Sequence, residues 1–375
     1  MSKSVQTLTG DFPLKLAPAR AWRTYMGGKL IDELHGVDNQ EDSHFPEEWL
    51  MSIVSARNVG REHILDEGLS KVDMQDADVS LKSLIDENAV EFLGQSHSEK
   101  YGNNTGVLAK IIDSSERLTV QVHPNREKAR ELFDSAFGKT ECWHIIGGRE
   151  IEGEPPYVYL GFKHGVTKEH WEKLFEDQDI QGMLDCLHKY DVKPGDTFLI
   201  EGGTPHAIGS GCLLIEIQEP TDLTIRIEKV SPSGLEIDDF MCHQGIGFKK
   251  MFDCFNYDTF TREETLEKWF VNPSVLKEVK NNREIELIGY KNTPYFRMTQ
   301  VEVDNEIELS NNGVFSGLYI LSGSGSIVLD GYNHSFNIGD QFFIPAKVSG
   351  LTLRNEGNEP LRALRLFGPE NINNK

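Results

Sequence analysis

The sequence predicts a mainly β chain with a few helices, built around two related β-barrels. Three observations lead there. In Leu118–Asn125, apolar Leu118, Val120 and Val122 alternate with Thr119, Gln121 and His123. This is the period-two pattern of a half-buried strand, and Pro124 ends it because proline cannot donate to a ladder. Next, Pro194–Glu201 reads Pro-Gly-Asp-Thr-Phe-Leu-Ile-Glu, and Ile338–Pro345 echoes it with Ile-Gly-Asp-Gln-Phe-Phe-Ile-Pro. A Gly-Asp turn followed by an apolar strand, met twice, predicts two copies of one β unit. Finally, helical periodicity is confined to a few short windows.

In chain order, residues 15–55 carry Trp22, the Gly27-Gly28 pair and Glu47 with Trp49, and read as short strands and turns. From Ser80, Leu81, Leu84, Ile85, Ala89, Phe92 and Leu93 form one apolar helical face. Val107–Ile112 is an apolar strand interrupted by Lys110, a cation placed either to snorkel at an edge or to face a polar cavity. After His123-Pro124-Asn125 a helix carries Ala129, Leu132, Phe133 and Phe137 on one face, with Gly138 as its stop. Pro155–Phe162 is β-rich, and Lys168–Glu176 is helical with Trp171, Leu174 and Phe175 inward. Leu213–Gln218 and Leu223–Ile227 alternate as strands. Thr261-Arg-Glu-Glu264 is a capping box, so a helix starts there, inside a helical insert or linker. The last ~90 residues return to strands and turns.

Composition excludes several classes of function. A net charge of −22, from 60 acidic against 38 basic side chains, opposes non-specific binding to nucleic acid or anionic membrane. An anionic substrate would need a local basic pocket. No run approaches the ~20 apolar residues of a membrane span, and Met1–Phe12 lacks the apolar core of a secretory leader. Five cysteines, none in Cys-x-x-Cys spacing, fit a reduced cytoplasmic protein rather than a disulfide scaffold or a cysteine zinc site.

Four polar residues on separate β segments converge as candidate metal ligands: Gln121, His123, Glu141 and His206. Two imidazoles, a carboxylate and an amide oxygen suit zinc, although ligand type alone leaves manganese, cobalt or nickel open. Taken singly, each is more often an ordinary polar strand residue. The repeat adds an asymmetry: ten residues past Asp196 stands His206, whereas ten past Asp340 stands Gly350. Only the first copy is equipped for a metal. Cations and hydroxyls cluster around these ligands: Lys110 and Thr119 before Gln121, Lys139 before Glu141, and Asp222 and Arg226 beyond His206. An exposed ion pair would be of little consequence. Beside a metal, lysine and arginine are what a sugar phosphate requires.

With these blocks in hand, the chain resembles the type I mannose-6-phosphate isomerases, in their short bacterial form. The resemblance spans roughly residues 15–368. It rests on Trp22 with Gly27-Gly28, Glu47 with Trp49, Lys110, Leu118–Asn125, Gly138-Lys-Thr-Glu-Cys-Trp143, Gly203-Thr-Pro-His-Ala-Ile-Gly209 and Asp222-Leu-Thr-Ile-Arg226. It implies two cupin-like (jelly-roll) barrels plus helices, and one zinc per chain on Gln121, His123, Glu141 and His206. The implied activity interconverts mannose 6-phosphate and fructose 6-phosphate through an enediol. Lys139, Glu201, Asp222 and Arg226 are the positional candidates for the catalytic groups. Lys110, Thr119, Lys139 and Arg226 are expected to bind the substrate and its charge. The chain departs from the family pattern at Arg126, where an acid is usual, at Thr119 in place of serine, and at Ile227-Glu228-Lys229 in place of aromatic-Asp-aromatic.

The expected division is a catalytic cupin domain over 1–235, a helical insert over 236–284 and a metal-free cupin-like domain over 285–375. The partner is a small sugar phosphate, in a cytoplasmic monomer or weak homo-oligomer. Two rival readings are a metal-binding cupin sensor without isomerase activity and another cupin enzyme, for example an iron oxygenase. The cations Lys110, Lys139 and Arg226 favour the isomerase.

Overall fold

The computed structural model describes residues 8–74 and 77–370, so the leader expectation over Met1–Phe12 falls largely outside it. The chain is mainly β, with short helices, and its strands form four sheets. Within the larger N-terminal sheet the strands run, in spatial order, Arg20–Ala21, Glu47–Leu50, Leu108–Asp113, Cys212–Gln218, Glu141–Gly148 and Thr197–Ile200. The larger C-terminal sheet repeats that order with Ser274–Val279, Asn282–Ile288, Arg297–Val303, Leu361–Phe367, Ser316–Ser322 and Gln341–Ile344. All these neighbours are antiparallel.

A smaller sheet accompanies each. In the N-terminal half, Ile225–Arg226, Gln121–Val122, His206–Ile208 and Tyr157–Lys163 are successive neighbours. The C-terminal half has Glu306–Ser310, Gly350–Asn355, Gly325–Leu329 and Tyr332–Phe336. Pairing is local within each half with one exception. Leu14–Leu16 crosses to the C-terminal half and pairs with Gln341–Phe343 at the sheet's edge. The C-terminal sheet also begins at Ser274, earlier than residue 285, because Ser274–Val279 forms a hairpin with Asn282–Ile288.

The C-terminal sheets enclose an apolar cluster that includes Val301, Leu318, Ile327, Phe342 and Leu353. In the N-terminal half, Val120 and Val122 pack against Phe162, Trp171 and Ile225 on the face opposite Gln121 and His123. The alternation predicted for Leu118–Asn125 sorts the side chains between core and pocket, but the strand is not half-buried: Thr119, Gln121 and His123 are buried as well, and regular ladder pairing is limited to Gln121–Val122.

The helices follow sequence signals with some displacement. Lys168–Asp177 buries Trp171, Leu174 and Phe175 as expected. Thr261 and Glu264 form the reciprocal capping box of Arg262–Trp269. The apolar face after Ser80 is split into Leu81–Glu87 and Ala89–Leu93, because the Asn88 side chain caps the second helix. The helix after Asn125 ends at Phe133, with Asp134 left-handed at φ 51°, rather than running to Gly138. A short helix at Lys29–Leu34, in a region read as strands and turns, follows Gly28 at φ 104°. The five cysteines are all free and buried. Among the described residues, no helix is long and apolar enough to cross a membrane.

Candidate metal centre and substrate pocket

Four separate segments deliver the side chains to one point. His206 pairs with Gln121 across the small sheet, and Arg226 pairs with Gln121 from the other side. Glu141 opens its strand opposite Ile200 and Gln218. Gly138 lets Lys139 approach: a Cβ there would lie 2.8 Å from the backbone of Pro124, Asn125 and Arg126. That close packing lets the Lys139 amide donate to Pro124 O (3.0 Å), which brings its side chain alongside His123.

Orientation of the imidazoles is fixed from behind. His123 Nδ1 bonds Leu223 O at 2.9 Å and His206 Nδ1 bonds Thr204 O at 2.8 Å. A ring nitrogen facing a carbonyl must carry the proton, so each Nε2 keeps a lone pair directed inward. Ligating atoms of His123, Glu141 and His206 lie within 4.8 Å of one another, and all three residues are buried. His206 Nε2 and both Glu141 oxygens lack a hydrogen-bond partner. Glu141 pairs with the Lys139 ammonium at 2.9 Å and lies 3.1 Å from His123 Nε2 and 3.4 Å from His206 Nε2, both neutral imidazole nitrogens. Buried acceptors seldom go unsatisfied, and donors of this type fit a divalent cation. The Lys139 ammonium, 2.7 Å from His123 Nε2, supplies positive charge at this centre.

Electrostatics agree. Burial, reinforced by Lys139, pulls the His123 imidazole down to about 3. Burial alone would raise the Glu141 carboxyl, but Lys139 and then His123 hold it well below the usual carboxylate range. Neutral imidazoles and an ionised carboxylate are the forms that bind metal.

A pocket opens beside this centre, lined among others by Thr119, Gln121, Lys139, Lys110 and Arg226. Lys110 is buried on its strand and faces the cavity rather than snorkelling. Its Nζ lies 3.2 Å from Glu216 and 3.7 Å from Glu47. The Arg226 guanidinium donates to Met241 O (3.0 Å) and more distantly to Thr224 O (3.4 Å), and burial pulls its pKa down. Asp222 also lines the pocket, but it is engaged by Arg23 at 3.3 and 3.4 Å instead of by Arg226.

Glu201 is placed elsewhere. The Gly202-Gly203 turn carries it to an exposed cleft, where it meets Trp269 Nε1 (3.2 Å) and Lys268 (3.4 Å). Of the family departures, Thr119 stays in the pocket wall, whereas Arg126 and Glu228 point away from it. Arg126 reaches Glu219 (2.5 Å) and stacks on Tyr295 of the C-terminal half (3.9 Å). Glu228 braces Arg117 and the Val120 amide behind the strand.

Three pocket residues escape the sequence reading of the site. Glu216 is buried between Lys110 and Trp143 Nε1 (3.2 Å), and burial, aided by Glu141, raises its carboxyl above the usual range. Its signal was the one that marked Lys110: a lone charge inside an apolar strand, Leu213–Gln218. Glu47 accepts from Tyr25 (2.8 Å), Trp49 (2.7 Å) and Arg23 (2.9 Å). Burial opposes its ionisation, but Arg23 and Lys110 bring it down to about 2. Arg23 joins Glu47 to Asp222. Acidic Glu47, Glu141, Glu216 and Asp222 thus balance basic Arg23, Lys110, Lys139 and Arg226.

His123 just past Gln121–Val122, His206 in the smaller sheet and Glu141 at the start of a strand of the larger one thus form a buried His–Glu–His cluster, a candidate metal centre in a mainly β chain. Comparison with known proteins narrows the class. The family described as phosphomannose isomerase type I, catalytic domain, matches residues 66–139, and that described as mannose-6-phosphate isomerase, cupin domain, matches 287–358. A probable mannose-6-phosphate isomerase, GmuF of Bacillus subtilis, is 29% identical over 266 residues, spanning 69% of this chain and 76% of that one. A second B. subtilis isomerase, ManA, is 28% identical over 258 residues, 68% and 74% of the two chains. The crystal structure of the mannose 6-phosphate isomerase from B. subtilis superimposes with a TM-score of 0.72 at 20% identity, covering 94% of this chain and 99% of that one. A zinc-bound mannose 6-phosphate isomerase gives 0.71 at 15% identity, covering 96% and 100%. The chain thus resembles the type I phosphomannose isomerases in both its catalytic and its cupin segments.

Proposed function

We propose that the chain interconverts mannose 6-phosphate and fructose 6-phosphate, and that the pocket beside His123, Glu141 and His206 is where it does so. The observation that supports this best is the juxtaposition of a buried metal-type donor set with a wall carrying Lys110, Lys139, Arg226 and the buried Glu216. The two sugars differ by a proton moved between C2 and C1 and by the matching hydroxyl proton, so the reaction needs a proton carrier and charge stabilisation.

His123, Glu141 and His206 would hold zinc, with Gln121 beside them on the paired strand. When bound, zinc supplies Lewis-acid polarisation of sugar oxygens. Glu216 is the carboxylate we assign to proton transfer, because its raised pKa brings it closer to neutral pH than an ordinary carboxyl. Lys139 lies within reach of a sugar oxygen at the metal centre and offsets negative charge developing there. Among the described residues Arg226 has no carboxylate in ion-pair contact, so its charge can act on the anionic substrate, with Lys110 and Thr119 on the same wall. Asp222, tied to Arg23, serves as a positioning group. The charge balance supports this reading: a divalent cation and a phosphate dianion entering together leave the pocket neutral.

We also read each pair of sheets as a cupin-like barrel. Catalysis falls within 1–235, helices occupy much of 236–284, and a metal-free unit covers 285–375, to which Leu14–Leu16 and Ser274–Val279 are added. A coupled assay of mannose 6-phosphate to fructose 6-phosphate, with and without chelator, tests the function. Turnover should vanish with chelator and return with zinc. Absence of turnover in zinc-loaded protein would refute it.

A further inference from the structure

The strand registers align the two halves residue by residue. His206 faces Gln121 in its sheet, and Gly350 faces Ser310 in the other. Glu141 faces Ile200, at the same offset from Asp196 as Ile344, which faces Ser316, has from Asp340. Glu216 faces Trp143 and Lys110; in the same places Arg365 faces Leu318 and Thr299. Glu47 corresponds in turn to Glu284, which faces Val301 as Glu47 faces Ile112. The catalytic pocket thus has a counterpart, and the C-terminal half has a cavity at that place.

The counterpart is a solvent-open cavity of about 820 Å³, lined among others by Ser310, Asn311, Gly350, Glu284 and Arg365. Ligand pockets typically measure ~300–1,000 Å³. Its floor is built. Arg365 is 5% exposed and donates to Glu284 (2.9 Å), Ser310 O (2.9 Å) and Asn311 Oδ1 (2.9 Å), with its guanidinium 4.8 Å from the Phe367 ring centre. Asn311 is 2% exposed, and its Nδ2 donor has no partner. Because Asn311 Oδ1 already accepts from Arg365, and more distantly from Ser316 Oγ (3.4 Å), flipping the amide would cost those bonds.

This chemistry selects a ligand. Ser310, Ser316 and Gly350 stand where the first pocket has Gln121, Glu141 and His206, and among the described residues no cluster of metal-type donors occurs here. A divalent cation is therefore not its guest. Nor is a phosphate: Glu284 neutralises Arg365, and Glu308, Asp330 and Glu370 outnumber Lys277 and Arg297 around the cavity. What remains is a mixed wall of hydroxyls, carboxamides and carboxylates beside Leu309, Val328, Leu351 and Phe367, matching the hydroxyls and the apolar C–H faces of a neutral saccharide. We infer that the cavity between the C-terminal sheets, the register counterpart of the catalytic pocket, is a second, metal-independent binding site for a neutral saccharide.

Calorimetric titration of the full-length, zinc-loaded chain with D-mannose and with a mannobiose tests this. Ser310 is exposed, so Ser310→Trp can occlude the cavity without disturbing the core; unfolding temperature and zinc content serve as fold controls. The expected result is saturable binding below about 10 mM, weakened at least tenfold by Ser310→Trp and unchanged by Arg226→Ala. The inference is overturned if neither saccharide binds saturably, or if binding survives Ser310→Trp. It is equally overturned if binding disappears with Arg226→Ala, or if mannose 6-phosphate rather than the neutral sugars is the ligand lost in Ser310→Trp. The isomerase assay is a separate measurement, so either conclusion can fail without the other.

Discussion

Removing the Arg226 guanidinium should separate catalysis from folding more cleanly than any other change in the pocket. Among the described residues its acceptors are the backbone carbonyls of Thr224 and Met241, while the neighbouring Asp222 is held by Arg23. Arg226→Ala therefore strands no buried carboxylate. Losing hydrogen bonds to carbonyls should lower stability by only about 1–2 kcal/mol. The catalytic loss should be larger. A buried cation that meets a phosphate or a developing oxyanion contributes about 2.7–4 kcal/mol, or roughly 10²–10³ in rate. We expect Arg226→Ala to keep its zinc and a cooperative unfolding transition while kcat/KM for mannose 6-phosphate falls by that factor. Arg226→Lys should recover only part, since lysine restores the charge without the planar fork. Near wild-type turnover in Arg226→Ala with zinc still bound would show that Arg226 is structural and refute the reasoning.

Metal analysis should give about one zinc per wild-type chain and none in His206→Ala, with activity lost in step; an ion retained by His206→Ala would indicate a second metal site. Glu216→Gln should lose most turnover with zinc retained. In wild type, kcat/KM should fall as pH drops through the raised Glu216 pKa, because the proton-accepting form disappears; an unchanged pH–rate profile in Glu216→Gln would remove Glu216 from the mechanism. Glu47 has its folded-state pKa depressed to about 2, so its stabilisation is complete above the ordinary carboxylate pKa and is lost as pH falls through the depressed one. Denaturant unfolding should show an advantage of wild type over Glu47→Gln that shrinks by about 3 kcal/mol between about pH 4.5 and 2; a gap independent of pH would contradict this.

Much of the site is written in local pattern. Gln121 and His123 announce themselves by alternation, and Lys139–Glu141 and His206 by the turns that carry them. Lys110 stood out as a charge inside an apolar strand, and Glu216 carried the same signal; pairing the two required knowing that their strands are neighbours in register. Arg23 and Glu47 depend on contacts made across the fold, such as Arg23 with Asp222, which no local spacing encodes. Glu201 shows the opposite failure. Proximity to His206 in sequence suggested proximity in space, yet the glycine turn between them sends Glu201 to an exposed cleft and His206 into the buried cluster with His123 and Glu141. For the fold, the repeated Gly-Asp turn was enough to predict two related units, but the crossing of Leu14–Leu16 between them left no mark that pattern reading could recover.

That crossing has a consequence for how the protein is made. On a ribosome, the N-terminal half can assemble most of its own sheets once residues 197–226 emerge and complete them with Thr259–Phe260, but the pairing of Leu14–Leu16 with Gln341–Phe343 must wait almost a whole chain. Until then the segment is held on one side only, by the Leu16–Val72 bridge and the bonds of Ala17 to Lys71 O and of Asp73 to Lys15 O, and afterwards it is a clasp across the two halves. Closing so long a loop is an entropic burden met only at the end of synthesis. Chains cut short before residue 341 would present both an N-terminal segment paired on one side only and an incomplete edge, the kind of surface that quality-control proteases and aggregation exploit.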